Sequence, residues 1–429
     1  MTNSLRALSQ STFSSLRIRN YRLYYIGQII STSGTFMQSI AQAWLVLKLT
    51  NSGTALGLVS ALQFLPVLLL SPFGGVIADR FPKRTLLYIT QSAFGVLALL
   101  LGLAVATGIV QLWMVEIVAL GYGLVNTVDN PTRQSFVVEM VGESELRNAV
   151  TLYSSLVNLA RVIGPAIAAA IIAAVQLAPC FILNGVSYGA VLIMLFAMRA
   201  SELHTAPLAP RARSQLVQGF RYVASTPVLR NVLVMLAIIG TLTFEFQVSL
   251  PLLAQFTFNG DASSYAALTS AMGLGAVAGG LLTAGQKELS PSLLIVAAFF
   301  FGVTTLIAGA MPSLALAVMA MLAVGIFSIY FTSLGNSILQ VHSEPQMRGR
   351  VMAFWAIAFL GSTTIGGPVI GWVGQTFGAR AGLGLGGAAA IVAAVYGLLT
   401  LRHLPPRVKR PAGVAAQAEA AAEQDLRVQ

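Results

Sequence analysis

The stretch Gly75-Val76-Ile77-Ala78-Asp79-Arg80-Phe81-Pro82-Lys83-Arg84 puts an acid and a group of cations in the gap between two apolar segments, each long enough to cross a bilayer. Charges this close to hydrocarbon need partners or water, so an Asp here calls for a role beyond marking topology. Working outward, apolar runs of the ~20 residues that a membrane-crossing helix needs recur along the chain. They fall near 21–46, 53–73, 85–107, 112–131, 149–174, 180–198, 230–253, 264–283, 292–311, 314–336, 351–373 and 381–401. The runs are long and continuous, not short and alternating, which excludes a β-barrel. Composition points the same way: 56% of the 429 residues are hydrophobic and only 9% charged, against ~25% charged in soluble domains. The expectation is an all-α integral membrane protein with about 12 transmembrane helices.

The longest polar interruption, Arg199 to Thr226, lies halfway along and is rich in Arg, Pro, Ala and Ser. It predicts a division into an N-terminal segment (1–20), a six-helix half (21–198), a central linker (199–229), a second six-helix half (230–401) and a polar, disordered tail (402–429). The N-terminal segment is Ser- and Arg-rich and lacks the short apolar core of a cleavable signal. The net charge of +11 is distributed by topology. All cations except Lys48, Arg380 and the mid-span Arg161 fall on one side of the predicted spans, which is 22 of 25. This positive-inside bias puts both termini and the linker in the cytoplasm and argues against a nucleic-acid partner. Cys180 stands alone in an apolar run, and His204, His342 and His403 sit in polar connectors, so neither disulfides nor a metal centre are expected. There is no G-x4-G-K-[ST] loop and no catalytic cluster of side chains, so neither ATP hydrolysis, nor an enzyme, nor a cofactor is predicted.

The two halves repeat each other weakly at an offset of roughly 200 residues, as in duplicated transporter folds. Gly74-Gly75 at the end of the second span match Gly279-Gly280 at the end of the eighth, with Ala284 where Asp79 would fall. Gly164-Pro165 in the fifth span match Gly367-Pro368 in the eleventh. Taken with this repeat, Gly-x3-Asp-Arg-x2-Lys-Arg between the second and third spans resembles the loop signature of the major facilitator superfamily. Five further runs are Trp44–Thr50, Asp129-Asn130-Pro131-Thr132-Arg133-Gln134, Asn158–Pro165, Asn184–Tyr188 and Met347-Arg348-Gly349-Arg350-Val351. Together they look like the superfamily branch that contains the enterobactin exporter, described as transmembrane secretion effectors. The resemblance covers residues 15–400 and departs from the pattern at Pro82, usually Gly, and at Glu245, where a neutral residue is expected.

The resemblance implies two pseudo-symmetric halves that rock about a central site in the inner membrane of a bacterium. It further implies a monomeric, proton-coupled exporter of a small organic molecule such as a siderophore, drug or metabolite. A nutrient importer and a non-transporting sensor of the same fold are the alternatives. On this reading Gly75, Asp79, Arg80, Lys83 and Arg84 form a gating loop, with Asp79 able to accept bonds from Arg133 and from a helix N-terminus in the other half. Arg80, Lys83 and Arg84 also read simply as topology determinants.

Three charged residues lie in or near spans. Arg161 sits deep in the fifth, so it should face the bundle interior with a partner. It is either a counter-charge for an anionic substrate or carboxylate, or a brace beside Gly164-Pro165. Glu245 is well inside the seventh and, since desolvation penalises its charged form, is a candidate proton carrier. It could instead face bulk water or pair with a cationic substrate. Asp129, at a span end, is a coupling candidate for which solvation is the simpler reading. Gly164, Pro165, Gly367 and Pro368 suit helices sliding at the interface between halves. Gln38, Gln42, Asn126, Gln247 and Tyr330 could line a cavity or bond neighbouring helices.

Overall fold

The computed structural model describes residues 13–204, 215–284, 288–344, 346–402 and 408–409. Most of the N-terminal segment, the tail and the Arg-rich part of the linker named above lie outside the described residues. The first half consists of α1 (Arg19–Thr50), α2 (Gly53–Arg80), α3 (Lys83–Ala106), α4 (112–141), α5 (143–175) and α6 (Ala178–Ala197). The second consists of α7 (Pro227–Thr257), α8 (Ala262–Ala284), α9 (Pro291–Ala310), α10 (Leu314–Val341), α11 (Arg348–Thr376) and α12 (Ala379–Leu401). Among the described residues these are twelve helices of spanning length. A linker helix, Gln215–Ser225, precedes α7, and Glu288–Leu289 pair antiparallel with Val408–Lys409.

Several ends differ from the sequence expectation. The Asp79 segment is not a loop: α2 runs through Arg80, because nothing breaks the helix until Phe81, held extended ahead of Pro82. The predicted gap between the fourth and fifth spans is also helical. One residue, Gly142 at φ 68°, takes the left-handed backbone that separates α4 from α5. α1 is the most polar span, and its exposed side carries Ile26, Ile29 and Ile30. Its polar groups bond inward: Thr35 to Tyr188, and Gln38 accepting from the Asn184 amide at 2.7 Å. Large apolar side chains such as Phe196 and Leu281 are exposed around the bundle, as lipid contact demands.

The repeat read from the sequence is visible in packing. α2 lies on α4 through Gly74, where a Cβ would collide with the Thr127 carbonyl. In the second half α8 lies on α10 through Gly279, against the Ile326 carbonyl. The halves meet where α2 packs on α11 and α5 on α8. In the first of these seams a Cβ on Gly53 would stand 2.7 Å from the Gly371 carbonyl, and one on Gly57 would strike Gly367 and Pro368. Backbone rests on backbone there, which only small residues allow. Hydrogen bonds between the halves, among the described residues, are Ser52 to Gln375 at 2.7 Å, the Thr54 amide to Gln375, Gln255 to Asn51 at 2.9 Å and Ser270 to the Val162 carbonyl at 3.2 Å. The first three sit at one end of the bundle, the Asn51 end, and the last partway down α5 and α8.

Candidate substrate cavity and its charged residues

A cavity of ≈ 400 Å³ lies between the halves, lined by α1, α5, α7, α8, α10 and α11. That volume is within the range of small-molecule sites. Its lining runs from Leu250 and Tyr265 on the Asn51 side to Asn336 and Trp355, which lie within about two turns of the helix ends on the Asp79 side. The cavity's lining thus extends toward the Asp79 end, while the glycine seam and the hydrogen bonds beside it join the halves at the Asn51 end. A smaller pocket holding Gln38, Gln42 and Gln63 adjoins it through Ser39 and Gln247, which line both.

Among the described residues Arg161 is the one charged side chain in the cavity lining. The sequence predicts a partner for it, and the partner is the ring of Phe36, whose centroid lies 5.8 Å from the guanidinium carbon. No carboxylate and no hydrogen-bond acceptor holds it among the described residues. Gln38, Gln42 and Gln247 line cavity space. Asn126 and Tyr330 are absent from both linings, and Tyr330 packs against the apolar core of the second half.

The broken backbone of α7 is a feature the sequence reading missed. Helix Pro227–Leu242 stops, Thr243 turns its hydroxyl to the Gly386 carbonyl of α12, and a second segment, Phe246–Leu252, starts with Glu245 as its N-cap residue. The Thr-Leu-Thr-Phe-Glu run, polar in mid-span and poor in good helix formers, was the available signal. Irregular backbone at this depth persists only when buried in protein or beside a cavity, and Glu245 is 2% exposed. Phe244, Phe246 and Gln247 turn toward the cavity, whereas the Glu245 carboxyl points at the α2–α11 seam. A Cβ on Gly366 would lie 2.8 Å from its Oε1, and one on Gly367 would lie 3.6 Å from its Oε2. Thr363 interacts with the carboxyl, but Oε1 is buried without a hydrogen-bond partner among the described residues.

Asp129 is not solvated, contrary to expectation. It is 1% exposed, because α3 covers the end of α4. Its Oδ1 accepts from Thr90 at 2.6 Å and Gln91 at 2.7 Å, and its Oδ2 from Arg133 Nε at 2.5 Å. Arg133 also donates to Gln28 of α1. The expected contact between Arg133 and Asp79 is therefore absent here: Arg133 is committed one turn back on its own helix, and Asp79 is exposed with no partner among the described residues. Gly75 likewise faces open space, and Arg80 is exposed. Lys83 pairs with Glu139 at 2.9 Å. Arg84 donates to the Leu195 and Met198 carbonyls and so caps the C-terminus of α6. The glycine-proline pairs also separate. Gly367-Pro368 lies in the seam between halves, while Gly164 packs on Phe36 and Ser33 of α1 within its own half.

The family model described as transmembrane secretion effector matches residues 10–421 of this chain. The chain belongs to that family. Transmembrane secretion effectors are membrane transporters, and the twelve-helix bundle, its repeat and its central cavity accord with that. Among similar curated proteins, the enterobactin exporter of Citrobacter koseri is 22% identical over 389 residues, covering 90% of this chain and 92% of the relative. The staphyloferrin A transporter of Staphylococcus aureus is 30% identical over 168 residues, so this chain spans only 42% of that relative's length. An uncharacterized transporter of Bacillus subtilis is matched over 48% of its length. Among solved structures, a POT family transporter in complex with 5-aminolevulinic acid aligns with a TM-score of 0.74 at 12% identity, covering 90% of this chain and 96% of that one. A bacterial homolog of the human lysosomal transporter Spinster, in an inward-facing and unoccupied conformation, aligns at 0.66 and 15% identity, covering 90% and 96%. At such identities these structures establish the major facilitator fold and nothing finer.

Proposed function

We propose that this transmembrane secretion effector exports a small organic molecule across the bacterial inner membrane by alternating access, coupled to proton entry. The observation that carries the reading is the cavity between the halves, which reaches toward the Asp79 end while the halves are joined at the Asn51 end. Positive-inside bias assigns the Asp79 end, with both termini, to the cytoplasm. In that orientation the chain is poised to load from inside. Export is the direction named for the enterobactin exporter, which matches nearly the whole chain, and siderophore-like molecules are the first substrates to try.

Coupling is assigned to Glu245. Among the described residues it is the one buried carboxyl with an unpartnered oxygen, and it sits in the wall of the seam instead of the cavity. Carrying a proton, it leaves the seam neutral and closed. Losing the proton puts a bare charge between α2, α7 and α11, at a depth where charge is costly, and biases the seam to part. A conformational bias of this kind needs only differential stabilisation of the two states. Asp79, exposed in this state, is free to find a helix of the other half when the cytoplasmic end closes.

The test is flux in proteoliposomes of the purified chain with an imposed pH gradient, acid on the side that the Asn51 end faces, using citrate-based and catechol-based siderophores. Accumulation against a concentration difference that collapses with a protonophore is the expected result. Movement that ignores the gradient would remove proton coupling, and absence of movement for every solute would favour a sensor.

A further inference from the structure

We propose that the central cavity selects an organic anion with a flat aromatic or conjugated body, held by Arg161 against a wall of aromatic rings. The inference rests on the cavity being the transport site and goes further by fixing the charge and shape of what enters.

The charge follows from an imbalance. Among the described residues Arg161 is the only group of fixed charge in the lining, and no Asp or Glu of theirs lines the cavity. Glu245, adjacent in chain to two lining residues, turns its carboxyl away into the seam. A guanidinium is always protonated and presents five donors. Here it keeps only the face of Phe36, which leaves those donors unused by protein among the described residues. A cation at membrane depth ordinarily has a counter-charge, and this one lines a cavity of ≈ 400 Å³. The group that completes it is a carboxylate, sulfonate or phenolate brought by the substrate, since charge-assisted bonds to Arg are among the strongest a site can offer.

The shape follows from the opposite wall. Trp355 stacks on Phe359 with rings 5.5 Å apart and 16° between planes, and Phe359 meets the edge of Phe244 at 4.7 Å. These three rings come from α11 and α7 and all line the cavity. They offer a broad apolar π surface to a flat ligand. Asn336 adds a polar point on α10: its Oδ1 accepts from Gln340, so its amide hydrogens remain for a ligand oxygen. A cation would meet Arg161 with like charge and find no acid in compensation, so the same arrangement rejects cationic solutes.

The experiment uses three molecules of nearly equal size and different charge: 2-naphthoate, 2-naphthamide and 2-naphthylmethylammonium. Their binding to the purified full-length chain in detergent is measured by titration calorimetry. Naphthoate should bind about tenfold tighter than naphthamide, as one charge-assisted bond predicts, and the ammonium weakest of all. Arg161→Gln should bring naphthoate down to the affinity of naphthamide while leaving naphthamide within about twofold. Arg161→Lys should keep most of the preference, and serves if the Gln variant does not elute as a single species. Equal binding of all three by the unaltered chain, no binding of naphthoate, or a preference that survives Arg161→Gln each overturn the proposal. Binding without charge preference that is lost in Trp355→Ala would overturn the anion and keep the cavity as the site. The transport reading stands or falls separately, on flux.

Discussion

Asp129 and Glu245 are both carboxylates of membrane helices, and they are buried to nearly the same degree, 1% and 2% exposed. Their company differs completely. Asp129 accepts from Thr90, Gln91 and Arg133, so both of its oxygens are held and its charge is matched. Glu245 stands at a break in α7 with Oε1 unpartnered and glycine backbone of α11 beside it. Burial alone therefore says little about role. A buried acid with its charge matched braces the fold, and one left unmatched is available to change state.

The largest effect that would test this contrast comes from Asp129→Ala. It leaves Arg133, 19% exposed, beside the donors of Thr90 and Gln91 without a counter-charge, which should cost somewhat less than the ~3–5 kcal/mol of breaking a fully buried pair. The expected result is a steep loss of folded yield and of thermal midpoint in detergent; a variant that melts like the parent would show the network is not a brace. Glu245→Gln should do the reverse. It is nearly isosteric and permanently neutral, so its midpoint should equal or exceed the parent's, while uphill export falls to background and its dependence on pH disappears. A stable variant that still pumps with the same pH profile would return Glu245 to the rank of a packing residue.

A third carboxylate sharpens the comparison, because it is partnered but exposed. Asp261, ahead of α8, accepts from the Ser263 hydroxyl and from the Ser263 and Ser264 amides. The Ser263 hydroxyl above all, helped by the Ser264 amide and hydroxyl and the Ser263 amide, holds its carboxyl below the ordinary value against the opposing effect of burial. Because the folded state prefers the charged form, the stabilisation is complete above the unfolded value of ~3.9 and is lost as pH falls through the lower folded one. Asp261→Ala should cost about 1 kcal/mol as a lost cap, less after solvent screening. Its midpoint difference from the parent should vanish in acid; a difference that persists there would point to packing in place of charge.

Much of the bundle was legible because membrane-spanning runs and their periodic punctuation follow directly from hydropathy. Gly74 and Gly279 could be paired by offset alone, and both turned out to pack against a neighbouring carbonyl that a Cβ would strike. Helix ends were less legible, since charge at Asp79 reads as a loop although only Pro82 stops the helix. The site was legible in part. Arg161 stood out as a cation in mid-span, but its ring partner, Phe36, comes from another helix and leaves no mark in local sequence. For the same reason the Asp129–Arg133 pair was visible as spacing, whereas its cover by Thr90, Gln91 and Gln28 was not. The break at Glu245 escaped notice because it depends on α11 and α12 accepting what α7 gives up.

The seam of Gly53, Gly57, Gly367 and Gly371 carries one more consequence. Ordering a long side chain costs up to ~2 kcal/mol of rotamer freedom, and ordering a glycine side chain costs none. The carbonyls in the seam already receive hydrogen bonds within their own helices, so parting them strands no polar group. Along these glycines closing the Asn51 end freezes almost nothing, and the ordering cost falls on the few flanking side chains that bond across it, Gln375 and Gln255 above all. The balance between the two forms is then set by those few side chains, by contact and by charge.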